Sequence, residues 1–289
     1  MNIRLGDSKK SFVLPSLVVM LGIIIVPMFF ALWIIFNDVN LLENQGKFVF
    51  VGLKNFKTLA ADTRFWNSIW VTLRFLILSL VIEIVLSMAI SLLIDRKFPC
   101  KSIIRPLLYV PMFMTPVVSG LIWRAFFDPN AGIISYLCQK MAGKGIDFLG
   151  NTNLALLAVV LVEVWQGTPF FIIFLSASLD SIPEEMTEAA LVEGASESQI
   201  IQYIKLPMVK PTLVIAAIMR AIDSIKTFDV VYVMTKGGPG ISTELMSMYT
   251  YTVGFRWYRI GYATTIAFVF TMMISLLLGV LNKKTSIQL

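Results

Sequence analysis

The chain has 289 residues, 57% of them hydrophobic and 15% charged, with a net charge of +6, two Cys and no His. With a mean hydropathy of +0.80, it carries more apolar surface than a water-soluble fold can bury and reads as an integral membrane protein. The lack of His and of any H-E-x-x-H pattern excludes a His-based hydrolase and a zinc protease. The Lys and Arg residues lie scattered over membrane flanks without an aromatic-interleaved stripe, so their partners are lipid headgroups and not nucleic acid.

A spanning helix takes about 20 mostly apolar residues, and six stretches reach that length. The expectation is an all-α integral membrane protein, a single transmembrane domain over residues 1–289 with six transmembrane helices. The first stretch, 12–36, follows Lys9 and Lys10 as a signal peptide would. Its apolar run is too long for a signal h-region and no small-residue cleavage site follows, so it reads as an uncleaved span.

The second stretch, 67–94, places Arg74 near its outer end beside Trp66 and Trp70, where a long side chain can snorkel to the interface, and Glu83 near its centre. A short connection, DRKFPCKSIIR, leads to the third stretch, 103–127, which ends in IWRAFFDP with Arg124 in a second snorkelling position. The fourth stretch, 153–178, contains EVWQGTPF. Within it Gly167 and Pro169 permit either a kink lining a cavity or close packing of a neighbouring helix.

Residues 179–208 form the one sizeable connection on the inner side. From Asp180 to Glu197 they hold Asp180, Glu184, Glu185, Glu188, Glu193 and Glu197 with no Lys or Arg. In the fifth stretch, 209–234, Arg220, Asp223, Ser224 and Thr227 follow i, i+3, i+4, i+7 spacing and share one helix face, with Lys226 off to the side. The sixth stretch, 262–281, precedes Lys283 and Lys284.

An even number of spans puts both termini on one side. Arg4, Lys9, Lys10, Lys283 and Lys284, with Arg96, Lys97, Lys101 and Arg105 in the short connection, make that side cytoplasmic. Lys205 and Lys210 fall on the same side. Cys100 then faces inward and Cys138 outward, which rules out a disulfide between them.

Glu83, Glu163, Arg220 and Asp223 each sit near the centre of a span. A charge there costs roughly 2.5 to 3.5 kcal/mol if it faces lipid, so all four are expected to face an interior or a wet cavity. One reading is an Arg220–Asp223 ion pair that neutralises itself along one helix; the other is a cavity lined for a polar solute. A solute transporter driven by ions through Asp223 and Glu163, or an enzyme built on Glu83, Glu163 and Asp223 alone, are the rival function classes. TKGGPG at 235–240 lacks the Lys and hydroxyl of a phosphate-binding loop, so the chain holds no nucleotide in that way.

Glu188-Ala189-Ala190, then Gly194 after three residues, then Ile204, Leu206 and Pro207 after nine more, reproduce the E-A-A-x3-G-x9-I-x-L-P signature. The chain thereby resembles the membrane subunits of bacterial ABC importers. Segments 111–137 and 228–264 are similar to the carbohydrate-uptake branch, on the side of its large maltose-type or glycerol-phosphate-type subunit. The resemblance covers essentially the whole chain from the first span onward. It departs in lacking the maltose subunit's extra helices and external domain, and in having Glu193 where sugar permeases often have Asp.

The resemblance implies a type I importer permease fold in a bacterial plasma membrane and a carbohydrate or sugar-derivative substrate, anionic sugars included. It also implies as partners a homologous second permease chain, two ATPase subunits carrying ATP and Mg, and an external solute-binding protein, with no cofactor in this chain. Glu188, Ala189, Ala190, Gly194, Ile204, Leu206 and Pro207 become a cytoplasmic coupling element that docks on the ATPase. The positions matching the family's pocket are Glu163, Gly167, Phe170, Arg220, Asp223, Ser224 and Thr227. They are more charged than the neutral, amide-rich and aromatic lining of a maltose site, and Arg220 could pair with a carboxylate or phosphate.

Overall fold

The computed structural model describes residues 7–96, 101–143 and 145–285, leaving out the side chains of 7–13, 142, 277, 278 and 280–285. Arg4, Lys97, Cys100 and Lys144, and the side chains of Lys9, Lys10, Lys283 and Lys284, lie outside the described residues. In chain order the elements are α1 (Asp7–Ile34), a two-residue antiparallel ladder of β1 (Asn37–Asp38) with β2 (Val49–Phe50), α2 (Lys54–Ala60), α3 (Thr63–Asp95), α4 (Lys101–Tyr109), α5 (Pro116–Phe126) and α6 (Ile133–Ala142). There follow α7 (Ala155–Asp180), α8 (Glu184–Val192), α9 (Glu197–Ile200), α10 (Leu206–Ile225), α11 (Asp229–Met234), α12 (Met246–Tyr251) and α13 (Ile260–Thr285). The described residues fall into two compact units, one made of the segment up to Phe65 with Tyr249 onward, the other of Trp66–Met248.

In the first unit, Leu14–Ile34 of α1 is apolar over 21 residues and only 6% buried in the chain itself, as suits a surface that meets lipid. Backbone polar groups just after it are paired locally. Asn55 donates its amide to the carbonyls of Ile35 and Asn37 at 3.0 and 3.1 Å, and a Cβ at Gly261 would collide with the Asn37 carbonyl, so only Gly lets α13 approach β1 this closely. Asp62 caps α3 by accepting the backbone N–H groups of Arg64 and Phe65 at 2.9 and 3.2 Å. The same carboxylate accepts the hydroxyls of Tyr249 and Tyr262, and the Arg64 guanidinium lies 4.9 Å over the Trp257 ring.

The second unit is organised by α3, α7 and α10. Leu80, Ile84, Met88 and Leu92 of α3 pack against buried Phe171, Leu175 and Leu179 of α7 and Val209 and Ala216 of α10. In lipid such contacts gain little from the hydrophobic effect, so close backbone approach and interhelical hydrogen bonds matter more. Ser68, Thr72, Ser79, Ser87 and Ser91 supply the small residues on α3, all buried, and Glu83 is buried in the same stripe.

Two of the six expected spans are not single helices. The stretch 103–127 runs through α4 and a 3-10 turn, Val110–Phe113, then bends by 98° into α5. Pro116 pushes Thr115 into an extended conformation (ψ 140°), and Met114 is extended as well (ψ 139°). The stretch 209–234 stops at Ile225, breaks over Lys226–Phe228 and resumes as α11. Among the described residues three helices are long and apolar enough to cross a bilayer, those containing Leu14–Ile34, Thr63–Asp95 and Ala155–Asp180, and the bent α4–α5 pair passes the same test as a fourth.

The acidic segment 179–208 is a built structure and not a loose loop. Glu184 and Glu185 occupy the first turn of α8, where carboxylates complement the helix dipole. The helix closes with Ala195 N–H bonded to the Ala190 carbonyl at 2.9 Å and Gly194 N–H to the Leu191 carbonyl at 3.0 Å, a Schellman pair that needs a left-handed residue. Gly194 supplies it, with φ +85°. Ser196 and Gln199 then form a capping box that starts α9, which passes through a π-helical turn, Ile201–Lys205, into α10.

Candidate functional site

The site grows from three helices of the second unit. Arg220 on α10 reaches Glu83 on α3 through two bonds, Nε to Oε2 at 3.1 Å and Nη2 to Oε1 at 3.0 Å. Nη2 also donates to Oε1 of Glu163 on α7 at 2.6 Å. The Arg220–Asp223 pair weighed from spacing alone is therefore replaced by one cation between two carboxylates from other helices. A single helix face could not reveal this, because both partners lie far away in sequence.

Burial makes the arrangement specific. Glu83 is 0% exposed and the Arg220 side chain 14%, and charges out of water must be compensated by geometry and hydrogen bonds. Ser224 donates to Glu163 Oε1 at 3.0 Å and Thr227 at 3.5 Å, completing the acceptor's shell. A Cβ at Gly167 would fall on the Arg220 guanidinium and the Glu83 carboxylate. Gly167 thus makes room for the ion cluster, which gives a cause for the close approach foreseen there.

Beside the cluster opens a cavity of about 420 Å³. Of the residues singled out in the sequence, Glu163, Gly167, Phe170, Arg220, Asp223 and Thr227 line it, while Ser224 stands behind the wall, fully buried. Gln166, Lys226, Phe228 and Asp229 also line it, with Met112 and Pro116 from the broken third stretch. Thr227 and Lys226 get there by a different route from the one helical spacing suggests: α10 has already ended, and the break turns both toward the cavity.

Breaks at membrane depth free carbonyls that need partners. Gln166 Nε2 donates to the Met114 carbonyl at 2.7 Å, and Ser247 Oγ donates to the Thr227 carbonyl at 2.6 Å. Irregular backbone is thus held where it borders the cavity. Arg124 is engaged beyond snorkelling, donating from Nη1 to the Val233 carbonyl of α11 at 3.0 Å, whereas Arg74 lies 4.9 Å over the Trp70 ring.

The second candidate surface lies on α8–α9. Glu188, Ala189 and Gly194 are exposed and Ala190 partly so; Ile204 and Leu206 are half-buried and Pro207 is exposed. No residue of α8 is buried and Val192 is 89% exposed. Ala190, Gly194 and Ile204 share a groove with Tyr203 of about 340 Å³. Ion pairs tie this region to the end of α3: Arg96 to Glu197 at 2.6 Å and Asp95 to Lys205.

Apolar helices interrupted around a polar, ion-clustered cavity, with an exposed helix pair joined to one of them, are the architecture of a solute-translocating membrane subunit. The chain belongs to the family of binding-protein-dependent transport system inner membrane components, whose model matches residues 83–284. It is 32% identical over 250 residues to the trehalose/maltose transport system permease protein MalF of Thermococcus litoralis, covering 86% of this chain and 82% of that one. It is 29% identical over 266 residues to the trehalose transport system permease protein SugA of Mycobacterium tuberculosis, covering 91% and 84%. Among solved structures, a chain of a bacterial ABC transporter that imports the acidic polysaccharide alginate superposes with a TM-score of 0.82 at 20% identity, over 96% of this chain and 94% of that one. The fold is that of an importer permease.

Proposed function

We propose that this chain is the permease subunit of an ATP-driven importer of carbohydrate, and that its solute passes through the cavity beside Glu163, Arg220 and Asp223. The observation that carries the reading is the convergence of six sequence-selected residues on one cavity in a chain of this family. The names of the trehalose and maltose permease relatives support a carbohydrate as the solute. Phe170 and Phe228 offer apolar faces to a sugar ring, and Asp223, Thr227 and Gln166 offer hydrogen-bonding groups to its hydroxyls.

The same reading gives the chain six spans with both termini cytoplasmic, a homologous second permease chain, two ATPase subunits that hold ATP and Mg, and an external solute-binding protein. Glu188, Ala189, Ala190, Gly194, Ile204, Leu206 and Pro207 form the surface that meets the ATPase. The acids of α8 and exposed Val192 suit a partner groove with a basic rim and an apolar floor. Closure of the ATPases moves α8–α9, and the ion pairs Arg96–Glu197 and Asp95–Lys205 carry that movement to α3, which holds Glu83.

Reconstitution of the chain with its second permease, ATPase and binding protein in liposomes tests this. Uptake of labelled trehalose or maltose that requires internal ATP and no ion gradient is expected. Uptake driven by a cation gradient without ATP would instead select an ion-coupled transporter.

A further inference from the structure

The cavity holds more charge than a site for a neutral sugar needs, and the way that charge is arranged decides what it accepts. Arg220 is one cation of its lining. Its Nε and Nη2 are committed to Glu83 and Glu163, while Nη1 has no hydrogen-bond partner among the described residues. The group can thus still donate to a hydroxyl, although its charge is outweighed by two carboxylates.

Lys226 is the other cation of the lining. It lies three residues from Asp223 and three from Asp229, whose carboxylates line the same cavity and make no side-chain bond among the described residues. Among the described residues, the lining carboxylates Glu163, Asp223 and Asp229 stand against two lining cations, Arg220 and Lys226, and Arg220 is further engaged by Glu83 from outside the lining. At the low effective dielectric of such a site, a surplus of negative charge in the lining disfavours a further anion by about an order of magnitude in affinity.

We propose that Glu83 is a positioning residue for solute selection: by engaging Arg220 it offsets one of the two lining cations and deepens the excess of Glu163, Asp223 and Asp229 over the remaining positive charge, so that the site takes uncharged sugars and rejects uronates and other anionic sugars of the same shape. The inference rests on the reading of this cavity as the solute site. Glu83 does not itself line the cavity. It acts through the guanidinium, which becomes a hydroxyl donor and not an anion receptor. Asp223, exposed in the lining, acts in the same sense directly.

The test is binding of methyl α-glucoside and methyl α-glucuronide to the purified permease–ATPase complex, followed by saturation-transfer NMR titration. The two probes differ by a hydroxymethyl against a carboxylate. The wild-type complex is expected to bind the glucoside about tenfold more tightly than the glucuronide. Glu83→Gln and, separately, Asp223→Asn should each narrow that ratio by raising affinity for the glucuronide, which a purely structural role would not do. Asp223→Asn changes an exposed side chain and keeps the test valid if Glu83→Gln fails to assemble. Equal binding of both probes by wild type, or an unchanged ratio in the folded variants, overturns the charge selection while leaving a carbohydrate cavity standing. Failure of wild type to bind either probe overturns the carbohydrate reading of the cavity and the proposal with it.

Discussion

Arg220 of α10 and Glu83 of α3, 137 residues apart in sequence, are joined by a two-pronged ion pair at 3.0 and 3.1 Å. The pair fixes the distance between two helices at the point where a third, α7, adds Glu163. Because Glu163 also holds Arg220, the three positions are not equivalent. Arg220→Met leaves two buried carboxylates uncompensated and should cost about 3–5 kcal/mol. Glu83→Gln leaves the Arg220–Glu163 pair intact and should cost clearly less. Thermal unfolding of the detergent-solubilised proteins measures the order, and the reverse order would show that the pair does not stabilise the packing.

Gly167→Ala should disturb the same cluster without changing any charge. The added Cβ must displace the guanidinium or the Glu83 carboxylate, and overpacking of this kind costs about 1–3 kcal/mol. A lowered melting temperature together with reduced uptake is expected.

Gly194 is the most sensitive position of the α8–α9 pair. A Cβ there meets nothing within 4 Å, so size alone is harmless, but φ +85° is costly for a side chain, by roughly 1–2 kcal/mol. Gly194→Val should uncouple ATP hydrolysis from uptake or prevent assembly with the ATPase, while Gly194→Asn, which tolerates the left-handed region, should keep most coupling. Simultaneous measurement of ATP turnover and sugar uptake separates these outcomes.

Asp62 gives the first unit a pH dependence. Burial works against its charged form, but the hydroxyls of Tyr249 and Tyr262 and two backbone N–H donors outweigh it and hold the carboxyl below its ordinary value of 3.8. The stabilisation is therefore complete above the unfolded value and is lost as pH falls through the lower folded one. Unfolding midpoints followed by tryptophan fluorescence should fall on acidification below about pH 4, and Asp62→Asn should flatten that fall.

The sequence already disclosed much of this site. Depth within spans and helical phase picked out Glu163, Arg220, Asp223 and Ser224, because a charge in lipid is costly enough to mark itself. Spacing around Gly194 disclosed the turn between α8 and α9. The break after Ile225 was not legible, since Ser224–Phe228 contains neither Gly nor Pro and its freed carbonyl is satisfied by Ser247, a contact across the tertiary fold. The third stretch carried Pro111 and Pro116, a signal that its apolar length outweighed. Glu83 was marked by depth, yet its partner could only be found once α3 and α10 were packed. Phe228 and Asp229 join the cavity through the break after Ile225, and Gln166 joins it from α7, within the EVWQGTPF segment.

The central claim is that the solute passes through the cavity bordered by Glu163, Arg220 and Asp223. Asp223 is exposed to that space, so a large side chain there fills the cavity without entering the packed core. The most direct measurement is ATP-dependent sugar uptake by liposomes containing the complete complex with Asp223→Trp. The account predicts uptake reduced at least about tenfold, a loss of about 1.4 kcal/mol or more, in a complex that still assembles. Wild-type uptake by that complex would contradict it.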